Sequence, residues 1–405
     1  MKEQLNSRKS WVVAVVVFIC FFIVETSEQR VPPVLTLISE DMGLSVVQGG
    51  WLMSAFGWAS LVSALPAAWL LVRLRPKLTM ALAVVLPLAA GVVGGTSGTF
   101  AMLCFARVLS GLGVGILGVI CASIIDQWFT PEKRGLPTGI MVATYPLACF
   151  FMLNVSPMVS ESFGWRGVWW MGAVISAACL VIVLVFLSNE NPYANTAREK
   201  SAGGKVSIGR VLRTPSLWCV LIGFACFDIA FYGVTTYMPS VLADTLNASM
   251  GEANFVSSIM MAVLVPAAVL DGFLLGKVGI KSRKFLPAFG LAGLGIAGFV
   301  AFQAGSLAGA SAAMVAAGFC AGFCSGAFFT IAPDTVPDPA AIGTVVALVT
   351  LFQNLGIAIG PLVMGTCVEA AGNTWSAAGL PTLVVGLVGA CFCLLIRVKG
   401  PEEQS

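Results

Sequence analysis

The segment Glu25–Arg30 places six polar side chains directly after fourteen apolar residues. At about 1.5 Å per helical residue these apolar residues climb about 21 Å, so the segment would lie at or above the middle of a bilayer. On a helix that turns about 100° per residue, Glu25, Glu28 and Gln29 share one face, and Arg30 points about 140° from Glu25. A face this polar predicts a water-filled cavity or a contact with another helix.

Two interpretations of this segment remain open. In the first, its carboxylates contact a substrate and carry a proton, because a carboxyl group partly removed from water can bind and release H⁺ near neutral pH. In the second, its charges form a structural Glu–Arg network that fixes the first span against the fourth or the fifth.

Arg107 and Asp228 also lie inside apolar runs. Arg107 is about eight residues from the outer end of its run, a depth similar to that of Glu28, so we consider a pair between them. Asp228 lies about 18 Å into a later run, with Tyr232 about one helical turn further on. Both are candidates for proton coupling or substrate binding. The alternatives are a helix-packing ion pair at Arg107 and a hydrogen-bonded structural acid at Asp228.

The basic residues alternate along the chain. Nineteen of the 22 Lys and Arg residues fall in every second gap between apolar runs, and only Arg30, Arg107 and Arg166 break the pattern. Loops on the cytoplasmic side of a membrane collect Lys and Arg. The pattern predicts a multi-pass membrane protein with both termini in the cytoplasm, and we expect it in the inner membrane of a bacterium.

Twelve apolar runs are long enough to cross a bilayer, and a polar stretch divides them into six and six. That stretch, 189–214, is basic and rich in Asn, Ser and Gly, which is typical of a linker. The predicted fold is an all-α membrane protein with two pseudo-symmetric halves, 1–188 and 215–405. The predicted spans are 11–38, 48–72, 78–97, 99–125, 135–160, 166–188, 215–242, 254–276, 285–304, 307–332, 341–367 and 375–397.

The two halves resemble each other in sequence. Pro66-Ala-Ala recurs as Pro266-Ala-Ala, and Pro32-Pro33-Val-Leu is similar to Pro239-Ser-Val-Leu, so we expect spans 1 and 7 to share a broken outer end. Near the span ends, tryptophans are assigned to the aromatic belts of the membrane surface. They are Trp11, Trp51, Trp165, Trp169, Trp170, Trp218 and Trp375.

Composition excludes several classes of protein. The chain is 58% hydrophobic and 10% charged, and no soluble core of this size hides so much apolar surface. It has no His, its 12 Cys residues include no CxxC pair, and it has no GxxxxGK[ST] nucleotide loop. We therefore expect no enzyme activity, no metal, no cofactor and no nucleic-acid partner.

Several stretches together resemble the major facilitator superfamily, and the match covers nearly the whole chain. Arg107-Val-Leu-Ser-Gly111-Leu-Gly113-Val-Gly115 is similar to the superfamily's signature in span 4. Asp126-Gln-Trp-Phe-Thr-Pro-Glu-Lys-Arg134-Gly resembles its loop between spans 4 and 5. Phe163-Gly-Trp-Arg166-Gly-Val-Trp-Trp resembles the usual entry to span 6, and Gly356-Ile-Ala-Ile-Gly360-Pro361 the glycine pattern of span 11.

The resemblance also implies a cytoplasmic gate, with departures. The superfamily carries Gly-x-x-x-Asp-Arg after span 2, but Ala68 and Val72 replace the Gly and the Asp here. In the second half Gly276 replaces the acid. Asp271, near the inner end of span 8, is assigned to the gate or to topology. The candidate gating residues are Arg73, Lys77, Asp126, Arg134, Gly272 and Lys277.

The resemblance implies a secondary active transporter that works as a monomer by alternating access, with a small-molecule substrate, H⁺ and the lipid bilayer as its partners. Arg30 and Arg107 favour an anionic substrate, because a guanidinium matches the two oxygens of a carboxylate. We therefore predict proton-coupled uptake of a small organic anion. The alternative is proton-driven efflux of a drug or metabolite.

The charge pattern makes the topology testable. With both termini inside, a cysteine at Ser201 should be shielded from a membrane-impermeant reagent in intact cells, while a cysteine at Asn247 should react. The measurement is labelling from outside in a variant that lacks the native cysteines, with lysed cells as the control. Strong external labelling at Ser201 would contradict the topology.

Overall fold

A computed structural model describes residues 8–74, 76–129, 137, 140–141, 143–187, 211–336 and 341–398. All regular secondary structure in these residues is helical. The chain divides into two compact units, of which the first comprises 1–43 and 55–203 and the second 44–54 and 204–405. Apart from 211–214, the predicted linker 189–214 lies outside the described residues, so the proposed division into half, linker and half stays a proposal.

The helices before residue 188 begin with α1, which carries the candidate acids. Helix α3 is shared between the units: its residues up to 54 belong to the second unit and the later ones to the first. These helices are α1 Arg8–Glu28, α2 Leu35–Met42, α3 Val46–Arg73, α4 Pro76–Gly95, α5 Phe100–Trp128 and α6 Thr144–Phe186, with a 3-10 turn at Pro32–Val34.

The helices after residue 210 all belong to the second unit. They are α7 Pro215–Leu246, α8 Met250–Lys277, α9 Phe285–Phe302, α10 Leu307–Ala321, α11 Ser325–Asp334, α12 Ile342–Ala370 and α13 Gly379–Leu395, with 3-10 turns at Ile280–Ser282 and Trp375–Ala378.

The described residues supply the twelve predicted spans. Ten helical segments are long and apolar enough to cross a membrane. One of these, α6, holds two spans, because Gly164 interrupts it with φ 66° and ψ 177°, a conformation that glycine adopts without a Cβ clash. The 28-residue α3 is the remaining span. The predicted all-α, twelve-span fold is confirmed.

The first span is broken where the tandem prolines predicted a break. Helix α1 ends at Glu28, and Pro32 and Pro33 follow in a 3-10 turn. Two successive prolines remove two successive backbone donors, so the carbonyls of the preceding turn lose their helical partners. The similar break predicted for span 7 is wrong, because α7 continues through Pro239 to Leu246. A single proline there removes only one donor.

The break after Glu28 also corrects the helical-wheel prediction. Gln29 and Arg30 lie in a turn beyond the end of α1, so their directions do not follow from a rotation of about 100° per residue.

The clustered glycines of α5 let this helix pack closely against two neighbours. A Cβ at Gly111 would collide with the carbonyl oxygen of Phe56 on α3, and one at Gly115 would collide with Ser60 and Ser63 on the same helix. A Cβ at Gly113 would come within 2.6 Å of Pro87 on α4. The Arg-and-glycine pattern of this span therefore fits α5 between α3 and α4.

The glycines of α12 have the same function in the second unit. A Cβ at Gly356 would lie 2.7 Å from the carbonyl oxygen of Ala225, and one at Gly360 would lie 2.7 Å from that of Ile229. Both contacts are with α7, so the paired glycines allow α12 to lie directly on the helix that carries Asp228.

Ion pairs join helix ends within each unit. Arg166 lies 2.9 Å from Asp41, whose carboxylate also accepts a hydrogen bond from the Trp165 indole. In the second unit Arg283 pairs with Asp334 at 2.9 Å. Arg166, one of the three exceptions to the charge pattern, thus ties α6 to α2.

The close packing of α5 on α3 can be tested on one helix with one type of substitution. Gly111→Ala should destabilise the protein by about 1–3 kcal/mol, because the new methyl group meets backbone that cannot move aside. Gly118→Ala on the same helix is the matched control, since no atom lies within 4 Å of the added Cβ. Thermal unfolding of the purified protein measures both. Equal stability of the two variants would contradict the packing.

Candidate functional site

The acids at the end of α1 form a buried pair. Glu25 and Glu28 are 6% and 3% exposed, and their carboxyl groups lie close enough to interact electrostatically. Oε2 of Glu25 has no hydrogen-bond partner among the described residues. The pair therefore places two acidic side chains side by side away from water.

Arg107 reaches the same helix end from α5. Its side chain is fully buried, its Nη1 donates to the Ser27 carbonyl oxygen at 2.8 Å, and its guanidinium lies 4.7 Å from the centre of the Phe56 ring. It is also close enough to Glu28 for the two charges to attract. Because α1 ends at Glu28, the Ser27 carbonyl belongs to the last turn, where carbonyls lack amide partners. A cation is favourable at this negative end of the helix.

Arg30 lies in a different environment, between α4 and α6. Its Nη1 donates to the Pro87 carbonyl oxygen at 3.2 Å, and the guanidinium lies 5.9 Å from the Trp169 ring. Nε and Nη2 have no hydrogen-bond partner among the described residues, and a Cβ at Gly172 would collide with them. The sequence grouped Arg30 with the acids of α1, but its side chain inserts into the crossing of α4 and α6.

Gln29 and the start of α6 cover the acid pair. The Gln29 side chain donates to the Tyr145 hydroxyl at 3.3 Å. Cys149, one turn further along α6, is within electrostatic range of both Glu25 and Glu28. The first unit therefore brings four predicted residues together around one helix end, Glu25, Glu28, Gln29 and Arg107, and two residues of α6, Tyr145 and Cys149, join them.

The second unit holds the other predicted pair. Asp228 and Tyr232 are 2% and 5% exposed on α7, and Tyr232 packs its ring edge against Phe231. A Cβ at Gly356 of α12 would lie 2.6 Å from the Cβ of Asp228. Because the two units are separate bodies, the arrangement supports two candidate regions, one in each unit.

The candidate gating residues are less informative. Lys277 ends α8, with its ammonium 4.1 Å from the Phe273 ring, and Gly272 has no atom within 4 Å of an added Cβ, so no described contact requires a glycine there. Lys77 lies at the start of α4. For Arg73 and Asp126 only the helical backbone is described, and Arg134 lies outside the described residues.

The sequence placed Trp169 wrongly at the membrane surface and gave Asp271 only a gating or topology role. Trp169, placed with the interfacial tryptophans, is fully buried, and its ring fills the space beside Gly94. Asp271 is only 1% exposed on α8. For Trp169 the sequence carries no signal, because its separation from Arg30 and Gly94 along the chain hides their contact. Asp271 was detectable as an acid inside an apolar run.

No group of three or more potential metal ligands occurs among the described residues. The twelve cysteines are all free.

Membrane-crossing helices in two units, with charged side chains buried inside them, define a multi-pass integral membrane protein. The sequence profile of the Major Facilitator Superfamily matches residues 17–348 and, in a second match, residues 241–405. The chain belongs to this superfamily, whose members are transporters and not enzymes.

Similar proteins agree with this assignment. The probable galactarate/D-glucarate transporter GudP of Bacillus subtilis (strain 168) is 28% identical over 262 residues. The match covers 58% of this chain, and the chain spans 58% of the length of that curated relative.

Solved structures share the fold. An inward-facing, occupied bacterial homologue of the human lysosomal transporter Spinster superposes with a TM-score of 0.78 at 19% identity, over 96% of this chain and 98% of that one. A D-xylose-proton symporter gives a TM-score of 0.77 at 16% identity, over 98% and 99% of the two chains.

Proposed function

We propose that the protein takes up a small organic anion together with H⁺, by alternating access. The observation that carries the proposal is the buried acid pair Glu25 and Glu28 beside the buried Arg107. The name of the Bacillus relative supports an anionic substrate, since galactarate and D-glucarate are dicarboxylates. The proton symporter among the solved structures supports only the fold, because its identity is 16%.

Arg107 is the proposed anion ligand. Its guanidinium is fully buried and lies at the helix end that also holds the acids. In this site a substrate carboxylate competes with Glu28 for the same positive charge. A charged hydrogen bond contributes about 1.5–3 kcal/mol. A loss of charge on Glu28 or on the substrate therefore decides which of the two binds Arg107.

Protonation of Glu28 then couples the two binding events. When Glu28 gains a proton it becomes neutral and its attraction for Arg107 falls, which leaves the guanidinium available to a carboxylate. When the substrate leaves, Arg107 again favours the ionised form of Glu28, and the proton is released. The direction of net transport follows the proton gradient, with the substrate entering the cell.

Arg30 is proposed to position this site. Its side chain contacts α4 and α6, and its guanidinium group lies against Gly172. A substrate would therefore have to displace a helix to reach Arg30. Its charge nevertheless lies close enough to Arg107 for the two cations to repel. Arg30 thereby raises the positive potential around Arg107 and favours an anion there.

The proposal includes the setting of the protein. The charge pattern of the loops supports cytoplasmic termini, and we propose the inner membrane of a bacterium as its location. We further propose that one chain is sufficient for transport.

Proton coupling by α1 predicts a separation of two transport activities. Glu25→Gln or Glu28→Gln should abolish gradient-driven accumulation and leave substrate counterflow largely intact, because counterflow requires binding and rocking but no net proton movement. Glu40→Gln, which removes an exposed acid from α2, is the control and should retain both activities.

The two assays in reconstituted vesicles distinguish the roles of the acids. Loss of accumulation and counterflow together, at normal protein abundance, would make the altered residue a substrate ligand. Unchanged accumulation in both variants would remove α1 from the coupling mechanism.

Anion binding by Arg107 predicts graded losses of affinity. Arg107→Lys keeps the charge and loses the two-pronged donor geometry, so binding should weaken by about 1–3 kcal/mol. Arg107→Ala should cost more, because the substrate carboxylate is left unpaired. Arg30→Lys, which alters the neighbouring cation, should lower thermal stability more than affinity.

A binding screen of mono- and dicarboxylates, sugars and cationic drugs, followed by titration of the best ligand, provides the measurement. If Arg107 only pairs with Glu28, the double change to Ala at both positions should restore the folding that each single change damages, with little effect on binding. A neutral or cationic substrate that binds wild type and Arg107→Ala equally well would exclude the organic anion and favour export.

A further inference from the structure

One face of α8 buries a carboxylate inside the second unit. Ala267, Asp271 and Leu275 recur every four residues and are 3%, 1% and 5% exposed, while Phe273 on the opposite side is 58% exposed. The buried stripe therefore faces protein, and Asp271 is its one charged member.

The stripe faces a break in a membrane span. The apolar segment Leu307–Asp334 consists of two helices, since α10 ends at Ala321 and α11 begins at Ser325. A Cβ at Gly322, in the break, would collide with Ala267 of α8. The amides of residues 322–324 bond back to carbonyls of α10, so the N-terminus of the half-helix α11 lies at Ser325, and such a terminus attracts negative charge.

The Asp271 carboxylate lies at this half-helix. Its Oδ2 is 3.4 Å from where a Cβ of Gly326 would stand, in the first turn of α11. Its Oδ1 has no hydrogen-bond partner among the described residues. The site therefore holds one end of the carboxylate against α11 and leaves the other oxygen buried without a donor.

No buried Lys or Arg lies among the described residues of the second unit, where the buried acidic side chains are Asp228 and Asp271. The cation nearest along α8, Lys277, ends the helix against Phe273. An isolated carboxylate in such surroundings is costly, and one proton removes the charge and gives Oδ1 a hydrogen.

Other titratable or charged groups lie on the elements packed around Asp271. They are Cys320 and Cys324 at the break, Asp228 and Cys226 on α7, Lys277 on α8 itself, and Asp334 on α11, which pairs with Arg283.

We propose that Asp271 is a proton-binding site of the second unit and that its occupancy controls the break between α10 and α11. Ionised Asp271 attracts the positive N-terminus of α11 and holds the break in place. Protonated Asp271 loses that attraction, and the break loosens. The site is separate from Glu25 and Glu28, so it stands or falls independently of the proposed coupling by α1.

Infrared difference spectroscopy across the neutral pH range tests proton binding without any substrate. The probe is the C=O stretch of a protonated carboxylic acid, in protein labelled with ¹³C on either its aspartate or its glutamate side chains. Wild type should show a titrating band that shifts with the aspartate label. The band should vanish in Asp271→Asn and remain in Asp244→Asn, a control that removes an exposed acid of α7.

Asp271→Glu identifies the group directly, because the titrating band should move to the glutamate-labelled protein. If neither variant at position 271 folds, Asp228→Asn decides: the wild-type band should persist in it. Absence of a titrating aspartate band in wild type, or its loss in Asp228→Asn, would overturn the proposal. An unchanged band in Asp271→Asn would also overturn it. If Na⁺ suppresses the wild-type band at fixed pH, the site binds sodium and the proposal fails as well.

Hydrogen exchange tests the control of the break. At one alkaline pH, backbone amides of residues 322–327 should exchange about two- to thirtyfold faster in Asp271→Asn than in wild type, the range for loss of a charge at a helix end. Asp244→Asn should exchange like wild type in this segment. Equal exchange in Asp271→Asn and wild type would show that the carboxylate does not act on the break.

Discussion

The hydrogen bond from Arg107 to the Ser27 carbonyl oxygen is the contact on which the first unit depends. It exists because the tandem prolines end α1 at Glu28 and leave the carbonyls of the last turn without amide partners. The same helix end is unfavourable for negative charge, yet it carries Glu25 and Glu28. Arg107 offsets part of that cost through its attraction for Glu28. A structural defect in one helix thus creates both the acceptor for a cation and the environment for a proton.

Close helix packing positions this contact. Arg107, Gly111 and Gly115 are spaced by four residues on α5, and all three lie against α3. The two glycines bring the backbones together, and the arginine occupies the same interface near the end of α1. A membrane interior offers no hydrophobic force between helices, so this close approach contributes dispersion energy that larger residues would forfeit. Glycines of α12 act similarly on α7, which places Asp228 beside a helix backbone.

Much of this fold follows from the sequence because the bilayer imposes few choices. Apolar length predicts the spans, basic loops predict the topology, and Pro32-Pro33 predicts the first break. The break at Gly322 was missed, since the segment 322–324 has no proline and remains apolar. The place of Arg30 was also missed, because its contacts with Pro87 and Gly172 depend on how three helices cross. Periodicity within one helix cannot supply that information, and it failed at Arg30 for the further reason that the helix had already ended.

The two units differ in how they treat buried charge. Among the described residues the first unit buries two acids and two arginines, whereas the second buries two acids. In the first, opposite charges compensate one another, so a change in one group is passed to the next through electrostatic attraction. In the second, protonation or the nearby end of α11 would stabilise the buried Asp271. The first arrangement suits exchange between a proton and an anion, because both act on one guanidinium. The proposed ligand of Asp271 is a proton alone, because no buried Lys or Arg lies among the described residues of the second unit.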